Sequence, residues 1–274
     1  MGCDIHWYVE RKNGQGIWEL VGPSRVCVIK SVHEEYVEEG WRPKFDPEKW
    51  PGVIMVDSYD EQKKFCNAGF DSALYVHRNY DLFSVLADCG RGSFESLTGE
   101  NRGIPGDVSN GYLWAATDGH GLDANGDPIV AVDRHSYNWC TLAELLAVDW
   151  DTPAQKTGQV GVVEFLRYKL HGAPAGWSNF VAGWNVKFLS EEEMSELAEV
   201  APILSLLPDV EAADAAFRLL ANQRGSFQGG DNYCKINWTI PYRAHCKRFI
   251  ETTLPAMQEL GDPENVRAVY FFDN

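Results

Sequence analysis

The sequence predicts an α+β fold, in which a mixed or antiparallel sheet includes an N-terminal hairpin and the C-terminal strand and helices pack on one face. Three observations lead to this prediction. Apolar and polar residues alternate from Cys3 to Glu10, which is the period of a half-buried strand. Helical and strand patterns then follow one another without a regular alternation. The 274 residues, of which 45% are hydrophobic, can build one sizeable core.

We therefore expect a single domain over residues 1–274, with long irregular insertions at about 32–72 and 201–230. Turn-forming residues at 12–16 should connect the first strand to residues 17–21 as a β-hairpin. The insertion at 32–72 is charged, aromatic and interrupted by three prolines. It is expected to be an irregular surface segment with at most short elements.

The middle of the chain combines a helix signal with a long loop. Asn79 or Asp81 can cap a helix through 82–86, because their side chains accept hydrogen bonds from the amide groups of the first helical turn. The glycine-rich stretch 90–128 has no periodic pattern, and long loops of this kind are often functional. The short apolar run at 129–132 predicts a strand.

Capping signals and apolar spacing predict the later elements. Thr141 and Glu144 form a capping box at the start of a helix that extends to about Val148, and Ser190 caps another helix in the same way. Apolar spacing predicts helices at 162–170, 201–223 and 241–260 and strands at 236–240 and 266–272.

The charge balance limits the possible partners. The chain has 24 Lys and Arg against 40 Asp and Glu, which gives a net charge of −16. Binding to long nucleic acids or anionic membranes needs a positive field, so we expect neither. No apolar run approaches the roughly 18 residues of a membrane span, and no secretion signal is evident. We expect a cytoplasmic protein with reduced, scattered cysteines and a small-molecule ligand.

Two Asp-x-His pairs are the candidate metal ligands. Asp4 and His6 project from one face of the first predicted strand, about 7 Å apart along it. Asp133 and His135 repeat this pattern before the Thr141 helix. If the two strands converge, the four residues would hold a divalent ion such as zinc, manganese or iron. The alternative is that these residues are simply the solvent-facing side of each strand.

Two further residues are candidates for the same site. His120 follows Asp118 and Gly119 in the glycine-rich loop, and we treat it as a catalytic candidate, with a polar side chain on a flexible surface loop as the alternative. Asp273 lies on the predicted closing strand. It could reach the same site if that strand pairs with the first strand, and the alternative is that it is a solvated residue at the chain end.

Four residues are candidates for substrate binding. Arg78 precedes a predicted helix N-terminus and Arg102 lies in the glycine-rich loop, so each could neutralise a phosphate. Tyr8 shares a strand face with Asp4, and Trp139 could stack on a base or a sugar. The alternatives are that Arg78 pairs with a neighbouring acid and that Trp139 is a packing residue.

Five segments resemble a known group of proteins, namely Met1 to His6, Arg78 to Phe83, Arg102 to Asp107, His135 to Leu142 and Val266 to Asn274. Together they are similar to a family of uncharacterised bacteriophage and prophage proteins that open with the same hexapeptide. The resemblance implies a phage-encoded accessory protein that works in the bacterial cytoplasm. It implies no particular activity.

The sequence leads to two functional hypotheses. In the first, the protein is a metal-dependent hydrolase of a small phosphoester or nucleotide, for example a host nucleotide signal. Its Asp-x-His pairs would hold an ion that activates water, and an arginine would neutralise the phosphate. In the second, the protein is a non-catalytic anti-defence factor that sequesters a host nucleotide or blocks a host protein.

Overall fold

The computed structural model describes residues 3–65, 72–87, 96–225 and 231–273. Its internal contacts divide the chain into two compact units, of which the first comprises residues 1–150 and 243–274 and the second comprises residues 151–242. The sequence analysis did not anticipate the second unit. No proline-, glycine- or serine-rich linker marks either of its boundaries.

The first unit is built on a four-stranded antiparallel sheet. Its strands are β1 (Asp4–Lys12), β2 (Trp18–Leu20), β5 (Arg134–Thr141) and β9 (Val266–Asp273), in the order β2-β1-β9-β5. The hairpin closes at Asn13, whose amide donates to the carbonyl of Ile17 at 2.9 Å. The α+β class, the N-terminal hairpin and the C-terminal strand are therefore confirmed.

The C-terminal strand is the centre of this sheet. β9 lies between β1 and β5, and its residues 266–272 are all buried. This burial on both faces explains why the strand reads as a nearly continuous apolar run. The exception is Arg267, whose guanidinium is neutralised by Glu10 at 2.7 Å and Asp107 at 2.8 Å.

Helices pack on the sheet from both sides, so the prediction that they pack on one face was wrong. The helices before residue 150 are α1 (Lys30–Glu38), α2 (Tyr59–Phe65), α3 (Tyr80–Leu86), α4 (Asn110–Thr117) and α5 (Leu142–Ala147). From α3, Phe83 contacts Phe272 with 5.0 Å between ring centroids. From α4, Tyr112 packs beside Phe271 on the opposite face of β9.

The predicted surface insertion contributes to the core. It contains α1, α2 and the strand β4 (Ile54–Val56), which pairs in parallel with β3 (Cys27–Ile29). His33 and Trp50 from this segment are buried beside the ring of Trp114. The prediction of a surface segment was therefore wrong for its inner side, because the charges that suggested exposure lie on the outer side of α1.

One cysteine departs from the predicted reduced state. Cys27 is part of a disulfide. Cys3, Cys140, Cys234 and Cys246 are buried thiols, as expected for cysteines that behave as small apolar side chains.

The second unit has its own sheet and core. Its strands are β6 (Pro153–Gly161), β7 (Lys187–Leu189) and β8 (Asn232–Pro241), in the order β6-β8-β7. Its helices are α6 (Val162–His171), α7 (Glu191–Glu196), α8 (Ala201–Leu204) and α9 (Val210–Arg224). Phe165, Met194 and Trp238 are among the buried residues of its core.

After β8 the chain returns to the first unit at Arg243. α10 (Tyr242–His245), a π-helical turn (Phe249–Thr253) and α11 (Leu254–Gln258) follow β8 in place of the single helix predicted at 241–260.

The local signals differed in quality. The capping boxes at Thr141 and Ser190 are both present. The strand predicted at 129–132 is wrong, because these residues are not hydrogen-bonded as a strand and β5 begins at Arg134. No helix in the described part of the chain is long and apolar enough to cross a membrane.

Candidate functional site

The strand register decides which candidate residues meet. Asp4 pairs with Asp273 across β1 and β9, and His6 pairs with Phe271. Directly opposite residues of an antiparallel pair share a face, so Asp4, His6 and Asp273 project from the same side of the sheet. Arg134 pairs with Asp273 from the other neighbouring strand and joins them on this side.

The four predicted metal ligands are not brought together. His135 pairs with Phe272, so it projects from the opposite face to His6, and its Nε2 lies 3.9 Å from Cys3 Sγ. Asp133 is exposed just before β5. No three His, Cys, Asp or Glu side chains among the described residues form a group that could hold a metal. The donor set predicted from the sequence does not fit a shared zinc, manganese or iron site.

His6 and Asp273 form a hydrogen-bonded pair. His6 Nε2 lies 2.8 Å from Asp273 Oδ2, and both side chains are about one third exposed, at 37% and 32%. The imidazole stacks on Phe271 with 4.6 Å between centroids and 12° between planes. Because an ionised carboxylate can only accept, Nε2 is the donor, and in the neutral imidazole Nδ1 then carries the lone pair. Nδ1 has no hydrogen-bond partner among the described residues.

Asp4 and Arg78 form a separate bidentate pair. Arg78 donates from Nε to Asp4 Oδ1 at 2.8 Å and from Nη2 to Oδ2 at 2.5 Å. The hydrogen bond from Arg78 lowers the pKa of Asp4 below its usual value, although desolvation acts in the opposite direction. The alternative that Arg78 pairs with a neighbouring acid therefore describes the structure. The charge of Arg78 is therefore already balanced by Asp4.

Two arginines share one carboxylate next to this pair. Arg42 Nη2 and Arg134 Nη2 both donate to Asp118 Oδ1, at 2.6 Å and 2.7 Å. Arg134 also donates to the carbonyl of Ala115. All three charged side chains are largely buried, with exposed fractions of 14–23%. These three groups sum to +1, but Asp133 lines the same cavity as both arginines, so a preference for an anion comes from the paired guanidinium donors and not from a net positive charge.

The arginine pair is held in place by aromatic rings and by the end of α4. The guanidinium of Arg134 lies 4.8 Å from the centroid of Phe271, and that of Arg42 lies 4.7 Å from the centroid of Tyr36. Asp118 ends α4 in the left-handed conformation, with φ of 51°. Gly119 follows with φ of 83°, and a side chain there would collide with the ring of Trp114.

These groups line three neighbouring cavities, which together we call the cleft. The first, of about 300 Å³, contains Asp4, Arg78 and Asp273. The second, of about 260 Å³, shares His6 and Tyr8 with the first. The third, of about 690 Å³, shares Tyr36, Arg42, Asp118 and Arg134 with the second. His6 therefore lies between the acidic end of the cleft and its arginine pair.

The remaining candidates divide between the cleft and other places. His120 and Asp133 line the third cavity, and His120 Nε2 lies 3.0 Å from the carbonyl oxygen of Trp41. Tyr8 lines the first two cavities, and burial raises its pKa to about 12, so its hydroxyl stays protonated.

Arg102 and Trp139 do not line the cleft. Arg102 donates to both oxygens of Glu144, at 3.0 Å and 2.6 Å, and its guanidinium lies 4.8 Å from the ring centroid of Trp139. Glu144 also completes the capping box of α5. Arg102 and Trp139 therefore contact each other beside α5 and away from the cleft, and their roles in substrate binding stay predictions.

Comparisons of this chain with known proteins found no relative. No protein-family model, no curated protein and no solved structure matches this chain. The functional argument therefore depends on the geometry of the cleft.

The sequence analysis missed the arginine pair. Arg42 lies in the segment that was interpreted as a surface insertion, and no local pattern distinguishes it there. Arg134 lies between the two members of an Asp-x-His pair, so the motif indicated Asp133 and His135 as the candidates. Asp118 belongs to the Asp-Gly-His motif that was singled out for His120.

Proposed function

We propose that the protein hydrolyses a small phosphoester in the cleft, with His6 as the general base. The observation that carries this proposal is that His6, which is hydrogen-bonded to Asp273, lines the same cavity as Arg42 and Arg134. The metal-dependent version of the hypothesis is not retained, because the predicted ligands face opposite sides of the sheet.

The pairing of His6 with a carboxylate supports general base catalysis. Asp273 fixes the ring and its tautomer, which leaves the lone pair of Nδ1 to take a proton. The carboxylate also stabilises the imidazolium that forms when the proton arrives. The stacking on Phe271 restricts rotation of the ring, so the base keeps one direction.

The reaction follows from these positions. A water molecule bonds to phosphorus through its oxygen while Nδ1 of His6 takes one of its protons. The bond between phosphorus and the leaving oxygen breaks, and that oxygen takes a proton from solvent. Arg42 and Arg134 neutralise the charge that builds on the phosphoryl oxygens. The imidazolium then releases its proton to solvent.

Binding without turnover is the second candidate, and the exposed aromatic wall of the third cavity favours it. Tyr36 and Trp41 stack there with 9° between planes, and Trp41 is exposed. Such a surface would also serve a protein that only sequesters a small anion. Turnover distinguishes the two candidates.

The test is hydrolysis of bis(4-nitrophenyl) phosphate and 4-nitrophenyl phosphate, measured by the release of nitrophenolate. His6→Gln should lower kcat by about 10²- to 10⁴-fold, the usual contribution of a general base. Arg134→Ala should lower kcat/KM by about 10²-fold or more, because a preorganised charge partner of the transition state is lost.

The matched control is His171→Ala. His171 is an exposed histidine beside Asp214 at 3.7 Å in the second unit, so its loss should leave turnover unchanged. Absence of turnover of either ester by the unchanged protein, or full activity of His6→Gln, would reject the proposal.

A further inference from the structure

The cleft carries an apolar wall that the chemistry at His6 does not use. Trp41, Ile129, Val130 and Val132 are exposed large apolar residues, and all four line the third cavity. Val132 is fully exposed. Exposure of apolar side chains to water is unfavourable. A cluster of them therefore marks a binding surface more often than a single exposed apolar side chain does.

One side of this cavity is a stack of flat groups. The rings of Trp41 and Tyr36 lie 6.0 Å apart with 9° between their planes. The guanidinium of Arg42 lies over the ring of Tyr36 at 4.7 Å. The indole of Trp41 is 68% exposed, so this stack can accept one more planar ring.

The arginine pair lines the same cavity as the apolar wall. Arg42 and Arg134 are therefore available to a phosphate while Trp41 and Val132 contact another part of the same molecule. The volume of about 690 Å³ lies within the range of cavities that enclose small ligands. Asp133, exposed on the lining of this cavity, supplies a carboxylate that accepts hydrogen bonds from an amino group.

We propose that the ligand of the cleft is a nucleotide, whose base stacks on Trp41 and whose phosphate binds Arg42 and Arg134. This inference rests on the proposed function and specifies its substrate class. A planar ring with amino substituents matches the indole platform and the carboxylate of Asp133. A simple alkyl phosphate would use the arginines and leave the platform empty.

The experiment compares AMP with ribose 5-phosphate by isothermal titration calorimetry. The two share the sugar and the phosphate and differ in the base. The unchanged protein should bind AMP at least about tenfold more tightly, which lies within the range that base stacking contributes. Trp41→Ala should reduce this preference to threefold or less. Val132→Ser, an uncharged change at a fully exposed position, should weaken AMP binding and leave ribose 5-phosphate binding nearly unchanged.

The controls separate failure of this inference from failure of the proposed function. Trp184→Ala removes a fully exposed tryptophan of the second unit and should keep the full preference for AMP. Equal affinity for the two compounds, or an unchanged preference in Trp41→Ala, would overturn the nucleotide assignment. If ribose 5-phosphate still binds and Arg134→Ala abolishes that binding, the phosphate site stands. If neither compound binds, both proposals fall.

Discussion

Replacement of Arg267 by methionine is expected to destabilise the first unit strongly. The guanidinium is 2% exposed and donates to Glu10 Oε2 at 2.7 Å and to Asp107 Oδ1 at 2.8 Å. Glu10 is fully buried, and its other oxygen accepts the amide of Ser109 at 2.8 Å. The substitution would leave this buried carboxylate without its counter-ion.

The expected cost is about 3–5 kcal/mol, because removal of one partner of a buried pair leaves an uncompensated charge. The contact of the guanidinium with the ring of Trp18, at 4.0 Å from the centroid, is lost as well. Urea unfolding followed by tryptophan fluorescence would measure the change. Addition of Glu10→Gln to the Arg267→Met variant should recover part of the loss, since it removes the stranded charge.

A pair on the surface of the same unit provides the control. Lys30 and Asp57 are 2.7 Å apart but 48% and 71% exposed, so Asp57→Asn should cost about 0–1 kcal/mol. If Arg267→Met costs no more than Asp57→Asn, the argument that burial determines the value of these pairs is refuted.

Two further predictions concern stability. Burial lowers the pKa of His33 below 6.5, and the charge of Arg42 acts in the same direction. The neutral form of His33 therefore stabilises the folded state fully above pH 6.5, and this contribution is lost as the pH falls below 6.5. His33→Phe should therefore reduce the shift of the urea midpoint between pH 7.5 and pH 5, and an equal shift in both proteins would contradict this. Thr141→Ala removes the side chain that accepts the Glu144 amide and should cost about 1 kcal/mol in the same urea assay. A change below the error of the measurement would show that this cap is dispensable.

The parts of the fold that local patterns specify were predictable. The alternation after Cys3 and the turn residues near Asn13 identified β1 and the hairpin, and the apolar closing segment identified β9. The two terminal strands pair as the sequence suggested, and Asp273 lies 2.8 Å from His6. Both residues lie on strands with strong patterns, so only their pairing had to be supposed.

The register between strands was not predictable. A shift of one residue exchanges the two faces of a strand, and no sequence pattern determines which residue of β5 lies beside Asp273. The structure places Arg134 there, so His135 turns to the opposite face. The register therefore removes His135 from the predicted metal site and places Arg134 in the cleft.

Long-range ion pairing was equally hidden from the sequence. Arg42 and Asp118 are separated by 76 positions, and their contact depends on the packing of the inserted segment against α4. The apolar run at 129–132 shows the opposite error. It has the composition of a buried strand, but its side chains line an open cavity.

The most direct test of the account is whether His6 and the arginine pair respond to the same phosphate. Nuclear magnetic resonance of the histidine ring nitrogens reports the tautomer of His6 in the free protein and its change on addition of inorganic phosphate. We expect a proton on Nε2, a saturable shift of the His6 signals with phosphate, and loss of that shift in Arg134→Ala. A proton on Nδ1, or signals that phosphate leaves unchanged, would contradict the assignment of one site to both groups.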